Sequence, residues 1–468
     1  MKDLADRLEA VVGAKGVRRG GDVDLLDPGW HPDNLRARLL VAPASPEEVA
    51  EVVRLVAAVG GAIVTQGGRT GLVGGSRTGE HEVVLSTARL DRILRLDPIE
   101  RVAVVEAGVT LEALQRAAAE HGLEPGIDLA ARGTATIGGM VSTNAGGILA
   151  FRNGVMRHRV LGLEAVLADG THLGDLTRIV KNTTGYDVKQ LLIGAEGTLG
   201  VVTRIALRLD PLPKARATAL FGLPSTAAAL DLLRRALGAG RVDLRAAEVM
   251  WRDFARLTAE ANGIADASID LDRPVQLLLE AGGPEEAPLI EAFEDLFGAL
   301  IEEGVDVSGV VAGSERQRDE IWKLREDTGA VYRRYPAAPS YDVSIPATEI
   351  EAWLARFARD LALHDPDLGF LSFGHLGDGN LHVILKRPGP LDPAEEEAID
   401  DIVYRDIEGL GGAFSAEHGI GSKRRAALAR YADPGKFAAM RLLKAALDPK
   451  GLLNQGKVLA PVAAEPGA

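Results

Sequence analysis

Three loops of this 468-residue chain are locally rich in glycine. Thr65–Ser76 follows a strand-like run and carries five glycines in twelve residues. A second small-residue stretch runs through Pro125-Gly126-Ile127-Asp128, Gly133–Gly139 and Ser142–Gly147, and a third is Gly194–Gly200. Glycine lets backbone amides approach a ligand without side-chain obstruction, in concavities suited to phosphate. The first loop is neither a P-loop, which needs Gly-Lys-Ser/Thr, nor a dinucleotide fingerprint with glycines at positions one, three and six. Any one loop alone reads equally well as a surface turn. Three together suggest an elongated ligand threaded between them, and a dinucleotide has that shape.

A chain of this length suggests two or three domains. Its 46% hydrophobic content is ordinary for a globular protein, and no apolar run is long enough to cross a bilayer. The charged, amphipathic start Met1–Glu9 does not read as a secretory signal, which points to the cytoplasm. A formal charge of −14 disfavours nucleic acid but leaves room for a local basic pocket. The absence of cysteine excludes disulfides, cysteine-ligated iron–sulfur clusters and zinc ribbons. Any metal must therefore use histidine and carboxylate.

Ser45-Pro46-Glu47-Glu48 predicts a capped helix start with a capping-box glutamate. Val49, Val52, Val53, Leu55 and Val56 follow at helical spacing, and Gly60-Gly61 stops the helix. Short strands are expected at Ala62–Thr65, Glu82–Ser86 and Arg101–Glu106, with Thr110 capping a helix Leu111–His121. The strand Gly200–Leu209 ends at Asp210-Pro211-Leu212-Pro213, the clearest domain boundary. Beyond it, helices such as Ala227–Leu237 and Glu286–Glu303 alternate with strands such as Val275–Glu280, Ser340–Ile345 and His382–Lys386. This predicts a second α+β domain with an antiparallel sheet, and Pro434–Leu447 predicts a late helix.

Two histidines seven residues apart lie in Gly374–His382, and Glu417-His418-Gly419 follows. Two imidazoles and a carboxylate suit a divalent cation with positions left open. A satisfied core or surface role is the alternative for each histidine. Asp378 reads as a turn residue rather than a ligand. Arg325 has a planar fork suited to a carboxylate, or it pairs with Glu326 or Asp327 on an exposed helix.

Taken together, these motifs resemble the FAD-linked D-2-hydroxyacid dehydrogenases of the vanillyl-alcohol oxidase/p-cresol methylhydroxylase superfamily. The resemblance rests on Gln66–Ser76, Pro125–Gly147, Arg152–Gly170, Lys181–Thr203, Gly374–His382, Ser415–Gly421 and Asp448–Val458, spanning Leu40 to Leu459. It implies an α+β fold: a two-lobed FAD-binding domain of the p-cresol methylhydroxylase (PCMH) type over residues 1–210, an α+β cap with an antiparallel sheet over 211–420, and a segment 421–468 returning to the first domain. The implied FAD contacts are Gln66, Gly67, Gly68, Arg69, Thr70, Gly71, Gly74, Gly75 and Ser76 in the first loop. Pro125, Asp128, Gly133, Thr136, Gly138, Gly139, Ser142, Asn144, Gly146 and Gly147 follow in the second, with Glu196, Gly197, Gly200, Val202 and Asn454 beyond. The FAD is expected to be noncovalent.

By the same resemblance His375, His382 and Glu417 ligate a divalent metal such as zinc, Arg325 holds the substrate carboxylate and His418 is the base. The implied reaction oxidises a D-2-hydroxy acid to the 2-oxo acid. Electrons then pass to an acceptor such as an electron-transfer flavoprotein, a quinone or a cytochrome, and a homodimer is an allowed assembly. The 2-hydroxyglutarate enzymes it resembles carry lysine where this chain has Ser340 and asparagine where it has Ile384. Both departures lean toward a lactate-like acid, because a second buried carboxylate without a cation costs several kcal/mol. Arg333 and Arg334 could restore that charge, and Ser415-Ala416-Glu417 looks more like the hydroxyglutarate branch. D-2-hydroxyglutarate dehydrogenase and a glycolate oxidase subunit are the alternatives.

Overall fold

Contacts in the computed structural model, which describes residues 2–238, 240, 242–264 and 270–461, divide the chain into two compact units. One takes Met1–Gly147, Asn153–Leu212 and Glu417–Ala468; the other takes Ile148–Arg152 and Pro213–Ala416. Among the described residues no helix is long and apolar enough to cross a membrane.

The first unit holds two sheets. Its four-stranded sheet runs in the order Val17–Arg19, Leu39–Val41, Val83–Ser86, Ile63–Gln66, with the last three strands parallel. The helix Pro46–Ala58 buries Val49, Val52, Val53 and Val56 completely in the core shared with that sheet. Burial of each valine contributes about 1.5–3 kcal/mol. Ser45 caps the helix, its Oγ accepting from Glu48 N at 3.2 Å. Glu48 does not close a capping box on Ser45; its Oε2 accepts instead from Ala44 N at 2.7 Å, one residue earlier. The second sheet is antiparallel, in the order Ile93–Asp97, Val102–Glu106, Val201–Arg208, Val160–Val166, His172–Asp175. Leu452–Asn454 comes back beside Ile63, whose N–H donates to Leu452 O and whose carbonyl accepts from Asn454 N.

The second unit is built on one seven-stranded sheet, antiparallel throughout: Ser308–Val311, Ala215–Leu223, Val275–Gly283, Asp243–Trp251, Phe370–His375, Asn380–Leu385, Ser340–Ser344. Side chains alternate across a strand, so this sheet has two distinct faces. Helices Ala287–Glu302, Ile350–His364 and Pro393–Tyr404 meet one face through the ring pairs Phe297–Phe221, Phe357–Phe370 and Tyr404–Tyr341. Helices Arg252–Asn262, Glu315–Glu326 and Thr328–Arg334 join the opposite face, in a core containing Phe254, Leu324, Val331, Phe373 and Ile384. The short segment Ile148–Arg152 belongs to this unit rather than to its sequence neighbours. Phe151 fits against Gly377, where an added Cβ would come within 2.7 Å of its ring.

Candidate active site

In the first unit the glycine loops line one cavity. Gly67, Gly68, Arg69, Thr70, Gly71, Gly75 and Ser76 form part of it, with Thr136, Gly138, Gly139, Ser142 and Gly146 alongside. Glu196, Gly197, Gly200, Val202, Asn454, Glu417 and His418 complete the set named from sequence. Thr65, Leu72, Val73, Leu129–Ala131, Ala135, Met140, Thr143 and Ala145, inside the expected spans Thr65–Ser76 and Pro125–Gly147, also line it, as does Thr87, which lies outside them. Arg69 sits at φ +55°, and its Nε is buried with no hydrogen-bond partner among the described residues. Burial holds its guanidinium below the usual arginine range, opposed by the charge of Asp27. An unsatisfied buried donor on the wall of a cavity fits a ligand bearing acceptor oxygens, as a dinucleotide diphosphate does.

Seven residues expected to touch a ligand do not line this cavity: Gln66, Gly74, Pro125, Asp128, Gly133, Asn144 and Gly147. Most of them hold the loops. Gln66 Nε2 donates to Asn34 O at 2.6 Å and Ser76 O at 2.8 Å. Asp128 is paired with Arg132 at 2.8 Å. Asn144 ends the helix Ile137–Thr143 in the left-handed region, and its Oδ1 accepts from Arg157 N. Packing also accounts for glycines that the sequence reading assigns to a ligand. A Cβ on Gly68 would lie 1.9 Å from Thr134 O, and one on Gly147 would lie 2.1 Å from Asp128 O. The loops need glycine to pack on each other.

Glu196 and Asn454 tie the cavity wall together. The Glu196 carboxylate accepts from Ile420 N at 2.7 Å and Gly421 N at 2.8 Å. Burial pushes its pKa up, against the pull of those two amides and of Arg424. Asn454 Oδ1 accepts from Thr65 N at 2.9 Å while its Nδ2 donates to Glu196 O at 2.6 Å. Asn454→Ala should therefore strand a buried carbonyl, Glu196 O, at a cost of about 1–3 kcal/mol, and also unpair the half-buried Thr65 amide. A lower melting temperature with reduced flavin content in purified protein is the expected result; unchanged values for both would remove this bridging role.

Glu417 and His418 border the same cavity. Glu417 Oε2 accepts from Gly147 N at 3.0 Å, and its Oε1 lies 3.8 Å from His418 Nε2.

In the second unit, strand register gathers the other residues on one sheet face. His375 pairs across to both Glu248 and Asn380; Phe373 pairs to Met250 and His382, and His382 pairs to Asp342. The His375 and His382 rings stand 5.6 Å apart, nearly perpendicular. His375 Nδ1 is 2.7 Å from Glu248 Oε1, and the other Glu248 oxygen is 2.7 Å from Arg325 Nε. Arg325 also lies over the Phe373 ring, 4.9 Å from its centre. Complete burial alone would raise the Glu248 pKa, but the charges of His375 and Arg325 outweigh it and hold the carboxyl below its usual value. Asp342 is buried, accepting from Asn380 Nδ2 at 2.7 Å, with Oδ1 3.7 Å from His382 Nδ1. Asp378 closes the turn, its Oδ1 accepting from Asn380 N.

Sequence reasoning reached Arg325, His375 and His382 but missed Glu248 and Asp342. The available signal was slight: Glu248 stands between the apolar pairs Ala246-Ala247 and Val249-Met250, where a charge that becomes buried has to be paired, while nothing in Ser340-Tyr341-Asp342-Val343-Ser344 marks Asp342. The exposed-helix alternative for Arg325 does not hold: it is buried and lies against Glu248, a residue of the strand Asp243–Trp251. Ser340 and Ile384, the two departures, face each other as one cross-strand pair. Arg333 is engaged elsewhere, donating to Asp327 at 2.8 Å on an exposed side chain.

Fold, cavity and polar face together define a flavin-dependent oxidoreductase of the PCMH-type architecture. The chain belongs to the FAD-linked oxidases: residues 212–458 match the FAD linked oxidases, C-terminal domain, and residues 37–174 match an FAD binding domain. Among its relatives is a D-2-hydroxyglutarate dehydrogenase of Xanthomonas citri pv. viticola, 38% identical over 92% of this chain and 90% of that protein. A mitochondrial D-2-hydroxyglutarate dehydrogenase of Bos taurus is 36% identical, over 90% of this chain and 77% of the relative. The solved structure of p-cresol methylhydroxylase with substrate bound superposes at a TM-score of 0.74 and 17% identity, covering 99% of this chain and 98% of that one. At that identity the likeness speaks to the fold alone.

Proposed function

We propose that this enzyme oxidises a D-2-hydroxy acid to the 2-oxo acid, with FAD held in the cavity of the first unit. The observation that carries the reading is the buried group Glu248–His375–Arg325, beside His382 and Asp342, on one sheet face of an FAD-linked oxidase. Bound FAD supplies the hydride acceptor. In this reading the Arg325 terminal nitrogens hold the substrate carboxylate, while its Nε lies against Glu248 as a close ion pair without hydrogen-bond alignment. His418 removes the hydroxyl proton. The donor set of two imidazoles and a carboxylate fits a zinc-type cation, so His375, His382 and Glu417 are the proposed ligands. Such a cation lowers the pKa of the substrate hydroxyl.

The names of the relatives make D-2-hydroxyglutarate the first substrate to test. One feature favours a second reading, a lactate-like or apolar acid: the Ser340–Ile384 pair brings no cation, and Ile384 is packed in the core with Leu324 and Val331. Domain roles follow the same proposal, with the second unit as cap and the segment after Glu417 as part of the FAD domain. The electron acceptor, a homodimeric state and a cytoplasmic setting are further parts of this reading.

Anaerobic mixing with D-2-hydroxyglutarate or D-lactate should bleach the yellow protein, and the L-acids should not. No bleaching by any D-2-hydroxy acid would end this reading. Ser340→Lys should shift the ratio of kcat/KM toward the dicarboxylate, and an unchanged ratio would discard the pocket argument.

A further inference from the structure

We propose that Glu248 is a positioning residue that sets the metal-binding tautomer of His375 and the direction of Arg325 at once. The inference deepens the functional reading above and rests on its assignment of His375 as a metal ligand. Glu248 is wholly buried on the strand Asp243–Trp251, directly across from His375 in register. One carboxylate oxygen is hydrogen-bonded to His375 Nδ1 at 2.7 Å, and the other holds Arg325 by charge, 2.7 Å from its Nε without hydrogen-bond alignment. A carboxylate only accepts hydrogen bonds, so a neutral His375 keeps its proton on Nδ1. The lone pair is then on Nε2, on the far side of the ring from Glu248. Carboxylate partners of this kind fix the ring orientation of a ligating histidine and raise its basicity.

The same carboxylate neutralises a guanidinium that is itself buried against Phe373. A single side chain therefore sets the spacing between the metal ligand and the carboxylate clamp. A glutamine cannot do both tasks. Its one oxygen can accept from His375, but the amide nitrogen then meets the Arg325 donors and the counter-charge is gone.

The test uses full-length, FAD-loaded protein and zinc alone as probe. Zinc affinity, measured by chelator competition, should fall about 10–100-fold in Glu248→Gln. Added zinc should restore kcat in that variant while KM for the hydroxy acid stays raised, because Arg325 is displaced independently. Glu280→Gln is the control: Glu280 is a second buried glutamate in the same sheet, bonded to Trp322 Nε1 and Thr218, and its replacement should leave zinc affinity unchanged. Should Glu248→Gln fail to fold, Glu248→Asp retains the charge but is one methylene too short to reach both partners, and the same loss of zinc affinity is expected. Wild-type affinity together with an unchanged KM in the folded variant would overturn the proposal while leaving the metal reading intact. A wild-type enzyme that takes up no zinc would overturn both.

Discussion

Replacing His418 by alanine should leave a yellow, folded enzyme whose flavin is reduced about 10²–10⁴ times more slowly by its hydroxy acid. The expectation follows from position. His418 borders the cavity of the first unit beside Glu417, whose second oxygen is anchored on Gly147 N. Many other residues form that cavity wall, so loss of one imidazole should not release the cofactor. In the proposed reaction what is lost is a proton acceptor for the substrate hydroxyl, and hydride cannot depart easily from an alcohol that keeps its proton. Anaerobic stopped-flow reduction reads this step directly. A rate within a few-fold of wild type would remove His418 from the chemistry; loss of FAD would show it to be structural.

Arg325→Met should be damaging in two separable ways. The substituted side chain leaves Glu248 fully buried with the Arg325 charge gone and its other oxygen still 2.7 Å from His375 Nδ1. Breaking a buried ion pair from one side costs about 3–5 kcal/mol, because the surviving charge loses its compensation. Urea unfolding should move to lower midpoint accordingly. The second effect is on binding: with Arg325 as the proposed clamp of the substrate carboxylate, loss of the guanidinium fork should raise KM far more than it lowers kcat. Arg325→Lys keeps a charge but not the planar fork, so its stability loss should be the smaller one while KM stays raised. An unchanged KM in both variants would refute the clamp, and unchanged stability in Arg325→Met would refute the buried pair.

The local parts of this protein were largely legible in the sequence. The helix Pro46–Ala58 starts and stops where Ser45, Pro46 and Gly60 say it should, and the late helix Pro434–Leu447 agrees residue for residue. The helix capped by Thr110 ends at Ala119, two residues before His121. Strand ends differ by one to three residues, as at Val275–Gly283 and Asn380–Leu385. These features are set by interactions between near neighbours, which spacing and capping residues record directly.

The glycine loops show where that logic stops. Their composition pointed to a ligand, and the loops do line one cavity. Yet Gly68 and Gly147 are required by the backbone of other loops, Thr134 O and Asp128 O, a demand that no local pattern announces. Glu248 is the sharper case. It lies 127 residues before His375 in the chain, and only the antiparallel pairing of two strands makes them neighbours. Likewise Ser340 and Ile384 looked like two separate departures until register placed them opposite each other.

Sequence alone determined the element types, the antiparallel sheet of the second unit, the flavin-enzyme family and the candidate histidines, because each is encoded in short-range periodicity or in contiguous motifs. Tertiary structure decided which buried carboxylates accompany those histidines, which glycines serve packing, and which cation faces which charge. Those outcomes depend on strand register and burial, where a pairing shift of one residue sends every side chain to the opposite face of the sheet.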